Sequence, residues 1–183
     1  LISVIVPCFN SGNILKRAID SVINQTWQDI EIILVNDGSN DKKTLKIIND
    51  YRNLSKLKLI NQNNLGLSAA RNSGVKNANG NYLFFLDSDD WIEPQAMELM
   101  FDFHKENHEK GFVFSDIILE GEVHKKINKN YNFFEQLFIN QLPYSIFISK
   151  EDWLKNGGYD ERMKNGYEDW DFNIRLGASN VHG

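Results

Sequence analysis

Four apolar runs, each cut off by polar residues and separated by an amphipathic stretch, constrain this chain more than any other feature. Residues 2–7 (ISVIVP), 30–36 (IEIILVN), 57–62 (LKLINQ) and 82–86 (YLFFL) are short and mostly rich in β-branched or aromatic side chains, so they read as strands. The first is apolar almost throughout, the mark of a strand covered on both faces. Between them, residues 12–25 repeat Ile14, Leu15, Ala18, Ile19, Val22 and Ile23 along one helical side. Residues 41–53 give a more polar amphipathic helix, and residues 67–78 a helix stopped by Asn79-Gly80. Pro94 stands where a further helix begins. Alternation of this kind implies an α/β fold: a three-layer sandwich around a mostly parallel central sheet, with right-handed crossovers.

The pattern loosens after residue 110. Residues 112–121 suggest a strand, 131–141 a short helix, 144–154 a strand feeding a helix, and 166–176 a final helix with an acidic first turn. The lysine- and asparagine-rich stretch 124–132 reads as a solvated loop. At 183 residues and 42% hydrophobic content, one domain with its own core is expected, with 1–110 as one half and 111–183 as the other. The net charge of −5 argues against generic nucleic-acid binding, and no apolar run approaches the roughly 18 residues of a membrane span. The chain opens with Leu1 directly on a strand, as an excised segment would, so targeting sequences or anchors would lie outside it. A single cysteine, Cys8, excludes an internal disulfide and a cysteine-based zinc site, and reads as a small residue closing the first strand.

In open α/β sheets ligands bind outside the carboxyl ends of the strands, and there the polar residues of this chain collect. The first strand ends in Pro7-Cys8-Phe9-Asn10, the second in Asn36-Asp37-Gly38-Ser39, and the fourth in Asp87-Ser88-Asp89-Asp90. Carboxylates about 4 Å apart repel by roughly 4 kcal/mol at an effective dielectric of 20, so the last group calls for a cation, donors or open solvent. A nucleoside diphosphate would use this edge: Phe9 near a base, Asp37 accepting from a base imide, Arg71 donating to a base carbonyl or a phosphate. Each has a plainer reading. Asn-Asp-Gly-Ser is also a good turn and helix entry, and Arg71 also suits a surface salt bridge on its helix. Neither a G-x-x-x-x-G-K-[ST] loop nor a G-x-G-x-x-G turn is present. With few bases near these motifs, a divalent cation bound by oxygen ligands, Mg²⁺ or Mn²⁺, is the natural partner of a pyrophosphate.

The segments SVIVPCFN, ILVNDGSND, NNLGLSAARNSGVKNANGNYLFFLDSDDW and GGYDERM…GYEDWDFNIRL resemble, in order, the motifs of glycosyltransferase family 2, whose fold is called GT-A. The resemblance spans nearly the whole chain. It implies inverting transfer of a sugar from a nucleotide-diphosphate donor, usually a UDP-sugar, to a saccharide or glycolipid hydroxyl in surface-polysaccharide or glycolipid assembly. The donors imply a cytoplasmic site, at the inner face of the membrane where association is peripheral. By the same resemblance Pro7, Phe9, Asp37 and Arg71 lie in the nucleoside pocket, Asn10 also binds substrate, Asp87 faces ribose and phosphate, and Asp89 holds the metal, with Asp90 in support. Asp169 is the matching catalytic base, and Glu168 an acceptor ligand or a support behind it. From composition alone, two acids in the first turn of a helix need do no more than complement its dipole. The chain departs from the pattern of processive synthases in lacking Q-x-x-R-W, and its acceptor half stops soon after the Glu-Asp helix, where His182 could take the place of a histidine metal ligand.

Three rivals share some of these features. A phosphatase of the haloacid dehalogenase type carries D-x-D after an apolar strand, but usually the first, and not followed two residues later by Trp91. A nucleotidyltransferase would want a basic, glycine-rich loop in place of PCFNSGNIL. A catalytically silent nucleotide-sugar-binding module remains the non-enzyme alternative.

Overall fold

The computed structural model describes residues 1–107, 111–121 and 123–183. Its strands are β1 (Ile2–Cys8), β2 (Ile30–Asp37), β3 (Leu57–Gln62), β4 (Tyr82–Phe85), β5 (Phe112–Phe114), β6 (Ile117–Leu119), β7 (Lys125–Ile127) and β8 (Ile146–Ser149). Its helices are α1 (Ile14–Ile23), α2 (Lys42–Tyr51), α3 (Leu67–Asn77), α4 (Ala96–Glu106), α5 (Phe133–Gln136), α6 (Lys150–Lys155) and α7 (Glu168–Ala178). Six strands form one sheet in the order β3-β2-β1-β4-β8-β5. β1 to β4 run parallel, and β8 lies antiparallel between β4 and β5. The second half of the chain thus extends the sheet begun by the first. The boundary expected near residue 110 falls outside the described residues.

Alternate residues of each strand serve opposite layers. Ile2, Val4 and Val6 of β1, with Ile32 and Leu34 of β2, meet Leu15 and Ile19 of α1, Ile48 of α2 and Met97 of α4. Ile5, Ile33 and Val35 face the other way, toward Ala70 and Val75 of α3, Trp153 of α6 and Phe172 of α7. The parallel strands read as continuous apolar runs because both faces are covered. α3 sits especially close to the sheet. A Cβ on Gly74 would lie 2.4 Å from a methyl of Ile5, so only glycine lets the helix approach this far.

The expected elements fall within a few residues of their places, with two differences. Residues 112–121 break at Ser115-Asp116 into β5, in the main sheet, and β6. The stretch 124–132 is not simply a solvated loop, because its Lys125–Ile127 segment is β7, paired antiparallel with β6. Asp116 closes this ribbon by accepting from the Lys129 backbone N–H (2.9 Å) and pairing with Lys126 (2.9 Å). Lysines suit such an exposed edge, since they discourage further strand pairing, and they hide the strand from an apolar pattern. Among the described residues no helix is long and apolar enough to cross a membrane.

Candidate active site

The chain order reverses between β1 and β4, so the crevice beyond their carboxyl ends is the topological switch point of the sheet. Register brings the two strands out level. Ile5 pairs with Phe85, which puts Pro7 and Asp87 side by side just beyond. A cavity of about 480 Å³ opens there, lined by Pro7, Phe9, Asn10, Asp37, Asp87 and Asp89 among others. Six residues singled out in the sequence therefore share one wall. A larger cavity of about 610 Å³ lies beside α4 and β6. Its wall is mainly apolar and takes only Asp90 from the acidic turn, whereas the smaller cavity takes Asp87 and Asp89.

Asp37 ends β2 and is buried. It accepts from Gln62 Nε2 (2.7 Å) and the backbone N–H groups of Leu65 (2.9 Å) and Gly66 (2.9 Å). A carboxylate has about four lone-pair sites, so Asp37 both fastens the turn into α3 and keeps capacity for one more donor from the cavity. The two readings of this residue are compatible. Phe9 leaves its ring half exposed on the same wall. Asn10, in the left-handed conformation, gives its side chain largely to the neighbouring loop. Its Oδ1 accepts from the backbone N–H groups of Asn40 (2.9 Å) and Asp41 (3.1 Å), and its Nδ2 donates to Asn40 Oδ1 (3.0 Å).

Arg71 corrects one expectation directly. It is no surface residue, being only 1% exposed on the inner side of α3. One guanidinium nitrogen donates to both oxygens of Asp87 (2.7 and 3.0 Å) and another to Glu168 Oε1 (2.7 Å). The rings of Tyr144 and Tyr159 lie 5.1 and 5.4 Å from its Cζ. Burial works against its charge, but Asp87, Tyr159 and Glu168 outweigh that and raise its pKa further. Burial also raises the Asp87 carboxyl above the usual range, Arg71 draws it back, and Asp89 and Asp90 add to the rise. Arg71 thus ties the strand-end acids to the start of α7 from behind the cavity, which it does not line. Glu168, itself buried, faces this arginine.

Next to it, Asp169 is part exposed and accepts from Asn140 Nδ2 (3.2 Å). The Asn140 amide is oriented in turn, because its Oδ1 accepts from Gln136 Nε2 (3.3 Å). Trp170 Nε1 donates to the Gln136 carbonyl (2.6 Å), fastening α7 to α5. On the other side of Arg71, Tyr144 donates to Asp90 Oδ2 (2.7 Å) and accepts from the Asp87 backbone N–H (3.1 Å), bracing the acidic turn. Burial, with Asp87 beside it, raises the Tyr144 hydroxyl pKa, so it stays a neutral donor. The sequence reading missed Asn140 and Tyr144. Both are single polar residues in loops, 29 and 54 positions from the acids they hold, and no local pattern marks them. His182 lies elsewhere. Its carbonyl accepts from the Phe112 N–H at the amino end of β5, and its ring meets Tyr131, so it lies away from the acidic turn.

A divalent cation fits the donor set in one manner. Among the described residues no three His, Cys, Asp or Glu side chains form a metal cage. Both Asp87 oxygens are held by Arg71, whereas Asp89 is exposed on the cavity wall. One carboxylate beside room for a diphosphate matches Mg²⁺ or Mn²⁺, which bind through one or two carboxylates plus substrate phosphates.

A mostly parallel sheet with acids at its switch point, tied through Arg71 to a helix of the second half, is the GT-A fold. The model of glycosyl transferase family 2 matches residues 3–164, and the chain belongs to that family. Glycosyltransferase GlyA of Streptococcus pneumoniae is 37% identical over 154 residues, covering 76% of this chain and 22% of that protein. Poly(ribitol-phosphate) beta-N-acetylglucosaminyltransferase TarP of Staphylococcus aureus is 41% identical over 121 residues, covering 64% of this chain and 35% of that protein. The crystal structure of residues 1–349 of S. aureus TarS in complex with UDP superposes with a TM-score of 0.79 at 25% identity, covering all of this chain and 56% of that one. The chain thus spans about a fifth and a third of the two curated relatives.

Proposed function

We propose that this domain transfers a sugar from a UDP-sugar to a hydroxyl of a saccharide or glycolipid acceptor, with inversion at the anomeric carbon and dependence on a divalent cation. The observation that carries the reading is Asp37 and Asp89 on one cavity wall, with the Asp87–Arg71–Glu168 bridge tying that wall to the start of the helix that bears Asp169. Structural likeness to TarS, solved with UDP and with UDP-GlcNAc, supports a uridine donor.

In this reading Phe9 flanks the base, Asp37 accepts the uracil N–H with its remaining lone pair, and Asp87 with Asp89 faces the diphosphate. Asp169 takes the proton of the acceptor hydroxyl as that oxygen attacks the anomeric carbon from the face opposite the diphosphate. The bond from the anomeric carbon to the β-phosphate oxygen breaks, and its electron pair leaves with UDP. A bound Mg²⁺ or Mn²⁺, held by Asp89, would supply charge neutralisation for the departing diphosphate. Residues 1–110 serve the donor and 111–183 the acceptor, as one catalytic domain. The setting is surface-polysaccharide or glycolipid synthesis at the cytoplasmic side of the membrane, where the donors are made.

A thermal-shift screen of UDP, UDP-sugars and other nucleotide diphosphates, with and without Mn²⁺, tests the reading. A ligand at 100 times its dissociation constant should stabilise the fold by about 2.7 kcal/mol. Asp89→Asn should abolish the Mn²⁺-dependent part of that shift while leaving the unliganded melt near wild type, because the side chain is exposed. Calorimetry showing equal Mn²⁺-dependent UDP affinity in the variant would remove Asp89 from the metal site. Asp37→Ala should lower UDP affinity roughly tenfold and narrow its preference over CDP, since a buried donor left unpaired costs about 1–3 kcal/mol. Unchanged UDP and CDP affinities would leave Asp37 with its turn-forming role alone. Ligand binding without any turnover of UDP-sugars across an acceptor panel would favour the silent-module alternative.

A further inference from the structure

Among the described residues three that are not glycine have a left-handed backbone: Asn10, Tyr167 and Asn180. Asparagine tolerates that region, but a tyrosine there is a genuine outlier. Tyr167 (φ 68°, ψ 8°) stands at the N-cap of α7, directly before Glu168 and Asp169, and its side chain makes no capping bond. Burial does not explain it either, for the residue is 65% exposed. Its ring leans on Trp170, 5.9 Å between centroids, and Trp170 is anchored to the Gln136 carbonyl. Asp169 reaches Asn140, four residues beyond Gln136, so the Trp170 under the ring and the neighbouring carboxylate both hold to the segment that ends α5 and follows it. Backbone strain kept at such a place points to use of the side chain.

Resting on the reading of Asp169 as base, we propose that Tyr167 is a stacking platform for a pyranose ring of the acceptor. The negative face of an aromatic ring suits the C–H-lined face of a pyranose. An acyclic polyol-phosphate chain offers no such face and would call for cations. The α7 start instead carries Glu168, Asp169 and Asp171, the nearby Arg162 and Arg175 are paired with Asp160 and Asp171, and the Lys164 ammonium is turned to the Leu65 carbonyl. The acceptor class assigned here is therefore a pyranose saccharide, unlike the ribitol phosphate in the name of the relative TarP.

The test uses the chain with UDP and Mn²⁺, applied to an immobilised panel of pyranose oligosaccharides together with poly(ribitol phosphate). Pyranose glycans should be retained and poly(ribitol phosphate) not. Tyr167→Ala should weaken retention roughly tenfold, Tyr167→Phe should keep it, and UDP affinity should be unchanged in both. Tyr167→Gly should lose retention as Tyr167→Ala does yet melt at or above the wild-type temperature, because glycine accepts this backbone freely. A purely structural tyrosine would show the opposite pairing, a lower melt with retention intact. No retention of any pyranose glycan, preference for poly(ribitol phosphate), or equal retention by wild type and Tyr167→Ala overturns the proposal. Asp169→Asn, assayed in parallel, separates the two ideas: if it transfers sugar normally the base assignment fails, and if it is inert while Tyr167→Ala is unaltered only the platform fails.

Discussion

Asp169→Asn is expected to bind UDP as well as the wild type and to transfer sugar roughly 10²- to 10⁴-fold more slowly. Asparagine keeps the size of the side chain and can still meet the Asn140 amide after a flip, but it cannot take up the acceptor proton. The cavity proposed for the donor lies across Arg71 from this residue and does not include it, which is why UDP affinity should not move. Asn140→Ala should show a weaker form of the same effect, in kcat rather than in UDP binding. It removes the donor that orients the carboxylate and leaves the carboxylate itself. Glu168→Gln should behave differently, since Glu168 faces Arg71 and its loss appears first in stability. Single-turnover transfer with calorimetry on the same preparations would separate these outcomes. A wild-type rate for Asp169→Asn would place the base elsewhere and reduce Asp169 to a helix-dipole partner.

What was legible in the sequence divides along a physical line. Apolar runs and amphipathic periods are local, so the strands and helices of the first half stand within a few residues of their expected places, and the carboxyl-end rule brings Pro7, Phe9, Asp37, Asp87 and Asp89 to one wall. Asp169 carried no such signal. Its pairing with Glu168 at a helix start is what any dipole-complementing turn shows, and only the family's motif order raised it above that. Contacts between distant segments were illegible. Arg71 looks like an ordinary helical arginine until Glu168, 97 residues away, closes over it. Tyr144 and Asn140 sit in loops whose composition says nothing of what they touch. β7 escaped because its lysines face solvent on a two-stranded ribbon, where no alternation toward a core is required.

Replacing Arg71 by Met should have the largest effect on the fold. Removing one member of a buried ionic group costs about 3–5 kcal/mol, because the partners are left charged and unpaired. Here two partners lose their counter-charge at once: Asp87, which loses both of its bonds to the guanidinium, and Glu168. At about 2–4 °C per kcal/mol for a domain of this size, the melting temperature should fall by roughly 10 °C or more. Arg71→Lys should recover only part, since an ammonium cannot span Asp87 bidentately and Glu168 together. The loss should also depend on pH in a fixed direction. Burial already raises the Asp87 carboxyl and Arg71 draws it down, so the variant's Asp87 titrates higher still. A carboxyl whose folded pKa lies above its unfolded value binds more protons when folded, so the variant loses stability as pH rises through that range. The wild-type Asp87 carboxyl is raised less, because Arg71 holds it down, so the wild type loses stability over a narrower span of pH. The gap between the two melting curves should therefore be widest near neutral pH and narrow as pH falls. Adding Glu168→Gln to Arg71→Met should restore part of the lost stability, although Glu168→Gln alone destabilises, because it removes one of the stranded charges. Equal melting of Arg71→Met and wild type across that pH range would mean that the cleft holds its halves together by packing alone.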